Sequence, residues 1–220
     1  MNAIRGSSKS LKSANFGWLC ALVAFDLVAI CIVVMPGVIE TAAASKIAIA
    51  RSVGSVLLPI IPLILVNVLP QIAKTRLVFW RWNHPNPGSR AFSRYIYRDD
   101  RINVDQLRKN VGVFPVVPKE QNALWFGLYK KCENEVSVLD AHRHFLLFRD
   151  MAALSLMLLT ITVTFLPLMG FSAIHTGQAV MAFAFQYLLT ALAARTAGER
   201  FVCTVMALHS LKKTRAPAKI

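Results

Sequence analysis

Apolar positions along this chain gather into long runs separated by basic segments. The clearest run, Met151–Ala194, holds 44 residues without one Asp, Glu, Lys or Arg; Arg149 and Asp150 precede it and Arg195 follows it. About 20 apolar residues at ~1.5 Å rise cross the ~30 Å hydrocarbon core of a bilayer, so the run is long enough to cross twice. A reversal at Gly170, His175 and Gly177 divides it into span three, Met151–Gly170, and span four, Gln178–Ala194. Upstream, Phe16–Met35 forms span one, stopped by Pro36-Gly37, and Ser52–Ala73 forms span two, interrupted by Pro59, Pro62 and Pro70. The pattern predicts an all-α integral membrane protein of four transmembrane helices, with a helical insertion between spans two and three.

The insertion, Lys74–Asp150, has its own pattern. Asn83-His84-Pro85-Asn86-Pro87-Gly88-Ser89 is a cluster of turn residues. If Arg90–Arg101 is helical, Arg90, Arg94, Arg98 and Arg101 fall within about 80° of one another, opposite Phe92, Tyr95 and Ile96. An extended Phe92–Tyr97 is the alternative, since aromatics favour strands. Asn103 followed by Gln106 resembles a capping box that opens a short helix ending at Val111. Pro118 suits a first helical position, and Leu124, Trp125, Leu128 and Cys132 make an apolar stripe after it, with Tyr129 beside it. From Val136, helical spacing through Leu139, His142, Leu146 and Arg149 leads straight into span three, predicting one long helix. A similar extension follows span four through Phe201, Val202, Val205, Met206 and Leu208, closed by Lys212, Lys213 and Arg215.

Charge orients this arrangement. The chain is 55% hydrophobic yet carries a formal net charge of +14, which by itself suggests an anionic partner. The surplus sits in three segments: Met1–Asn15 at net +3, Lys74–Asp150 at net +6, and Arg195–Ile220 at net +5. These alternate with the spans as the positive-inside rule requires. The expected domains are therefore a cytosolic segment 1–15, a transmembrane hairpin 16–73, a cytosolic helical block 74–150, a second hairpin 151–194, and a basic cytosolic tail 195–220. Both termini face the cytoplasm of a bacterial-type inner membrane. Trp18, Phe79, Trp80 and Trp82 suit interfacial anchors. Topology accounts for the charge, so nucleic acid is not an expected partner.

A cleaved signal peptide is the competing account of span one, with Thr41–Ser45 as a small-residue cleavage site. The apolar run is nearer twenty residues than the usual seven to fifteen, and Asp26 sits at its centre. Both features favour a retained span.

Polar residues inside a span are expensive and are functional candidates by default. Asp26, Thr160 and Gln186 lie near the middle of spans one, three and four. They are expected to form a midplane polar cluster in which Asp26, protonated or paired, bonds Gln186. Such a cluster either clamps helices together or lines a proton or ion path. Thr190, Ala194 and Gly198 repeat at four-residue spacing, a small-residue stripe that permits close helix approach and suggests a homo-oligomer.

Recognisable chemistry is sparse. No GxxxxGK[ST], GxSxG, HExxH or helix-opening GxGxxG occurs. Asp140 and His144 share a helix face while His142 points away, a poor chelate, so neither metal nor cofactor is expected. Cys20 and Cys31 fall in span one and Cys132 and Cys203 on the cytosolic side, with no CxxC. They read as packing residues. The leading expectation is a non-enzymatic, oligomer-forming membrane component. It would present Arg90, Arg94, Arg98, Arg101, Trp80 and Trp82 to anionic lipid head groups or to a cytosolic protein partner. A small channel or transporter working at the Asp26 level is the second class. A lipid-modifying membrane enzyme using Asp140 and His144 is the third.

Overall fold

The computed structural model describes residues 11–34, 64–168 and 171–211. Among them all regular structure is helical and no strand occurs. The elements are α1 (Leu11–Val34), α2 (Gln71–Phe79), two 3-10 turns (Pro87–Arg90 and Tyr95–Tyr97), α3 (Val104–Val111), α4 (Pro118–Cys132), α5 (Val136–Leu168) and α6 (Ala173–Leu211). Most of span two, the connection with Thr41–Ser45, Gly170, the first ten residues and the basic Lys212–Ile220 tail lie outside the described residues. So do the side chains of Ile30–Val34, Cys31 included.

Two compact units make up the chain: Met1–Lys74 with Leu147–Ala191, and Thr75–Leu146 with Leu192–Ile220. In the first unit, Leu19, Val23, Val66 and Leu154 form a core, with Leu22, Leu65, Leu147 and Met151 packed against it. Residues 64–68 are helical and break at Pro70, whose carbonyl then accepts from Ala73 and Lys74 N–H at 3.0 and 3.2 Å to start α2. A proline cannot continue the incoming helix because it lacks an N–H, but it can precede a new one. Polarity in this unit is inverted. Asn15, Asp26, Lys74, Arg149, Asp150, Ser155 and Thr162 are buried, while Trp18, Phe25, Val28, Phe165, Met181, Phe185 and Leu189 are exposed.

α5 and α6 are long and apolar enough to cross a membrane. Only 39% and 22% of their most apolar windows are buried. A core helix of a water-soluble domain would instead hide that surface. Each is one continuous helix, of 33 and 39 residues, as the spacing predicts.

The second unit packs around Tyr95, Ile96, Leu107, Val138, Val202, Val205 and Met206, all fully buried. α3 starts where the sequence places it, with Asn103 Oδ1 accepting the Gln106 N–H at 2.9 Å. The reciprocal half of the capping box is absent, because the Gln106 side chain turns to Asn110 Oδ1 at 3.0 Å. Pro118 opens α4 as expected. Gly88 lies under α4: a Cβ there would stand 2.5 Å from Trp125 Cε3 and 2.7 Å from Asn122 Oδ1. No residue with a side chain fits that approach.

Arg90–Arg101 does not form the expected helix, nor a strand. Gln121 Oε1 accepts from the Phe92 N–H, the Ser93 N–H and the Ser93 hydroxyl, each at 3.2 Å. Its Nε2 donates to the Val116 carbonyl at 3.0 Å. A side chain from α4 thus holds two backbone N–H groups of this segment, which closes in short turns rather than a continuous helix. Phe92, Tyr95 and Ile96 are buried inward as the pattern anticipates.

Candidate functional site

The first unit brings two of the three midplane candidates together. Gln186 Nε2 donates to Asp26 Oδ2 and to Ser155 Oγ, both at 3.0 Å. Asp26 is 1% exposed, and its other oxygen, Oδ1, has no hydrogen-bond partner. The Gln186 amide N–H groups are both engaged, and Thr190 Oγ1 donates to the Gln186 carbonyl at 2.8 Å. Beside this cluster runs an apolar groove of about 400 Å³, lined by Phe25, Ala29, Ala179, Phe183 and Leu189 with Asp26 and Gln186 among them.

Thr160 is not a member. It is exposed and its hydroxyl donates to the Leu156 carbonyl at 2.9 Å. Depth alone suggested it, but depth ignores helix face: five residues turn a helix by about 500°, so Thr160 and Ser155 point about 140° apart. The inward stripe of α5 is Leu154, Ser155, Leu158, Thr162 and Leu166. That spacing was visible in the sequence and marks Ser155 as the inward polar residue.

Elsewhere in the same unit, Lys74 Nζ and Arg149 Nη2 both reach Asp150 Oδ1, at 3.2 and 3.0 Å. All three are nearly fully buried. A buried carboxylate held by two cations is a structural pin whose disruption strands charge in the interior.

In the second unit the four candidate arginines divide. Arg98 pairs with Glu199 at 2.6 Å, and Arg101 forks onto Asp99 at 2.7 and 2.9 Å. The Arg101 hydrogen bonds hold the Asp99 carboxyl below its usual range. Arg90 and Arg94 make no such pair. Arg90 is depressed first by burial and then by repulsion from Arg81 and Arg94. Burial and Glu199 push the Tyr95 hydroxyl up, opposed by Arg81 and Arg94. Trp80 and Trp82 are both exposed. The Arg195 guanidinium stacks on Trp80 at 3.5 Å, and the Arg76 Nε–H donates to the Trp82 carbonyl at 3.1 Å. Trp80 and His84 have φ of 52° and 49°, so the backbone reverses sharply through the expected turn cluster.

The small-residue stripe serves the interior. Ala194 is fully buried, and a Cβ on Gly198 would meet Phe79 Cζ at 2.9 Å and the Phe145 ring at 3.1 Å. These two positions are filled within the protomer and offer no contact to a second copy.

The remaining candidates make local contacts. His144 Nδ1 lies 3.0 Å from the Asp140 carbonyl and 3.4 Å from its carboxylate, on an exposed face. His142 stacks on Phe201 with centroids 4.6 Å apart and sits 3.2 Å from the Tyr129 hydroxyl. Among the described residues no cluster of His, Cys, Asp and Glu could hold a metal ion. Cys20, Cys132 and Cys203 form no disulfide; burial, then Asp99 and Glu199, push Cys203 up to about 11. Sequence reasoning did not single out Ser155. No family model, curated protein or solved structure matches this chain.

Proposed function

We propose that this protein is a non-enzymatic, four-span inner-membrane component whose basic block 74–150, on the cytosolic side, engages anionic lipid head groups. The observation that carries the membrane reading is the inverted polarity of the first unit: buried Asp26, Ser155, Thr162 and Gln186-bonded groups, exposed large apolar side chains. In water such a surface would drive aggregation; in hydrocarbon it is the favourable arrangement. Exposed Trp80, Trp82 and Arg94 in the second unit supply what an interfacial surface needs, amphipathic rings beside cations.

Titrating the delipidated full-length protein in detergent with mixed micelles tests the lipid reading. Phosphatidylglycerol should bind more tightly than phosphatidylcholine, with affinity falling as salt rises and falling again in Arg94→Glu. Equal binding of the two lipids, or an unchanged Arg94→Glu variant, would reject it.

A second reading, a small channel or transporter, is favoured by one observation: the unpartnered Oδ1 of Asp26 beside an apolar groove. Ion or proton flux through reconstituted liposomes that disappears in Asp26→Asn would select this reading over a purely structural clamp.

A further inference from the structure

The apolar groove of the first unit is lined from α1 by Phe25, Asp26 and Ala29 and from α6 by residues that include Ala182, Phe185 and Gln186. Its volume, about 400 Å³, falls in the ~300–1,000 Å³ range of sites that hold small organic ligands. Such sites combine apolar walls with a few polar groups. Alanines at three lining positions, Ala29, Ala179 and Ala182, leave space that larger side chains would fill.

Asp26 is the charged group in this wall. It is 1% exposed, its Oδ2 accepts from Gln186, and its Oδ1 is buried without a partner. A carboxyl group in apolar surroundings is costly unless it is paired, and here one oxygen is left unmet. The described part of this unit offers no cation to complete the pairing. No residue that lines the groove is basic. In α1 the one Lys or Arg is Lys12, and in α6 the first is Arg195. At ~1.5 Å rise per residue, Lys12 lies about 21 Å along the helix from Asp26, and Arg195 about 13 Å from Gln186. Lys74 and Arg149 are both held on Asp150. The groove therefore has one acid and no base.

We infer that this groove binds a lipophilic monoamine, its ammonium group on the Asp26 carboxylate and its apolar part among the phenylalanines. An ammonium N–H gives a charge-assisted bond to the unmet oxygen, and the faces of Phe25, Phe183 and Phe185 also favour a cation. A neutral alcohol or an acyl chain fills the same volume without answering the acid's charge, and an anion is repelled. The inference rests on the second reading for its site and names the ligand class, but it does not require flux.

The test dialyses full-length protein in neutral detergent to equilibrium against adamantylamine and, separately, adamantanol, with protein-free micelles as reference. The amine should bind in excess over the micelles and about tenfold or more tightly than the alcohol. Asp26→Asn keeps the side-chain shape and should weaken the amine about tenfold or more, and the alcohol less than about threefold. Ala182→Phe adds bulk at an exposed groove position and should weaken both probes. Arg94→Glu, in the second unit, should leave both unchanged. Amine binding that equals alcohol binding, or that survives Asp26→Asn, overturns the proposal in favour of a groove for lipid tails. Amine binding untouched by Ala182→Phe, or no excess binding at millimolar amine, also overturns it. Amine binding with the expected losses, but no flux in liposomes, rejects the transporter reading and keeps the site.

Discussion

Replacing Gln186 with Leu probes the polar cluster most sharply. Leucine nearly matches the glutamine volume, so the cavity term is small. Two hydrogen bonds are lost, to Asp26 Oδ2 and Ser155 Oγ, both at 3.0 Å. Between helices in an apolar medium each contributes about 0.6–1 kcal/mol. Asp26, already lacking a partner on Oδ1, would then have none on either oxygen, adding about 1–3 kcal/mol for a stranded buried polar group. Gln186→Leu should therefore cost about 2–5 kcal/mol. The double variant Asp26→Leu/Gln186→Leu removes the stranded group together with its partner and should recover much of that loss. Unfolding in mixed detergent–denaturant micelles, followed by tryptophan fluorescence, measures both. A cost below about 0.5 kcal/mol for Gln186→Leu, or strict additivity in the double variant, would refute the reasoning.

Other expectations follow from local geometry. Gly198→Ala should destabilise by about 1–3 kcal/mol, since its Cβ meets Phe79 Cζ at 2.9 Å; Gly127→Ala, with nothing within 4 Å, should stabilise by about 0.5–1 kcal/mol. Chemical denaturation of the two variants checks the opposite signs. Asn103→Ala removes the 2.9 Å cap on α3 and should cost about 1 kcal/mol, with Asn103→Asp close to wild type in the same assay. Cys203, with its thiol pushed up to about 11, should resist iodoacetamide in the folded protein at pH 8 and become reactive only as pH rises toward that value or the fold opens. Peptide mass mapping after timed quenching reads this directly, and rapid native labelling at pH 8 would contradict it.

Local signals were legible in the sequence where one segment decided its own structure. Asn103 and Pro118 fixed helix starts, and the spacing from Val136 onward fixed a continuous α5. Arg90–Arg101 misled because it closes in short turns held against α4 by Gln121, 28 and 29 residues away, a contact that no local periodicity reveals. Depth along a span was legible, so Asp26 and Gln186 were paired correctly across 160 residues. Face was also present in the sequence, as the Leu154–Ser155–Leu158–Thr162 stripe, but equal depth wrongly favoured Thr160. The division among the arginines was out of reach, because it depends on which of them find acids in the folded chain. Arg98 and Glu199 are 101 residues apart. Likewise the Ala194–Gly198 stripe announced close packing truthfully, while its partner rings, Phe79 and Phe145, lie on other helices.

Membrane topology is the central claim, and impermeant-maleimide labelling of single-cysteine variants in intact spheroplasts measures it. In a background lacking Cys20, Cys31, Cys132 and Cys203, Ser172→Cys in the exposed reversal between α5 and α6 should label from outside. Ser137→Cys, exposed at the start of α5, should label only after permeabilisation. Labelling of Ser137→Cys in intact spheroplasts, protection of Ser172→Cys, or release of the protein by alkaline carbonate would contradict the account.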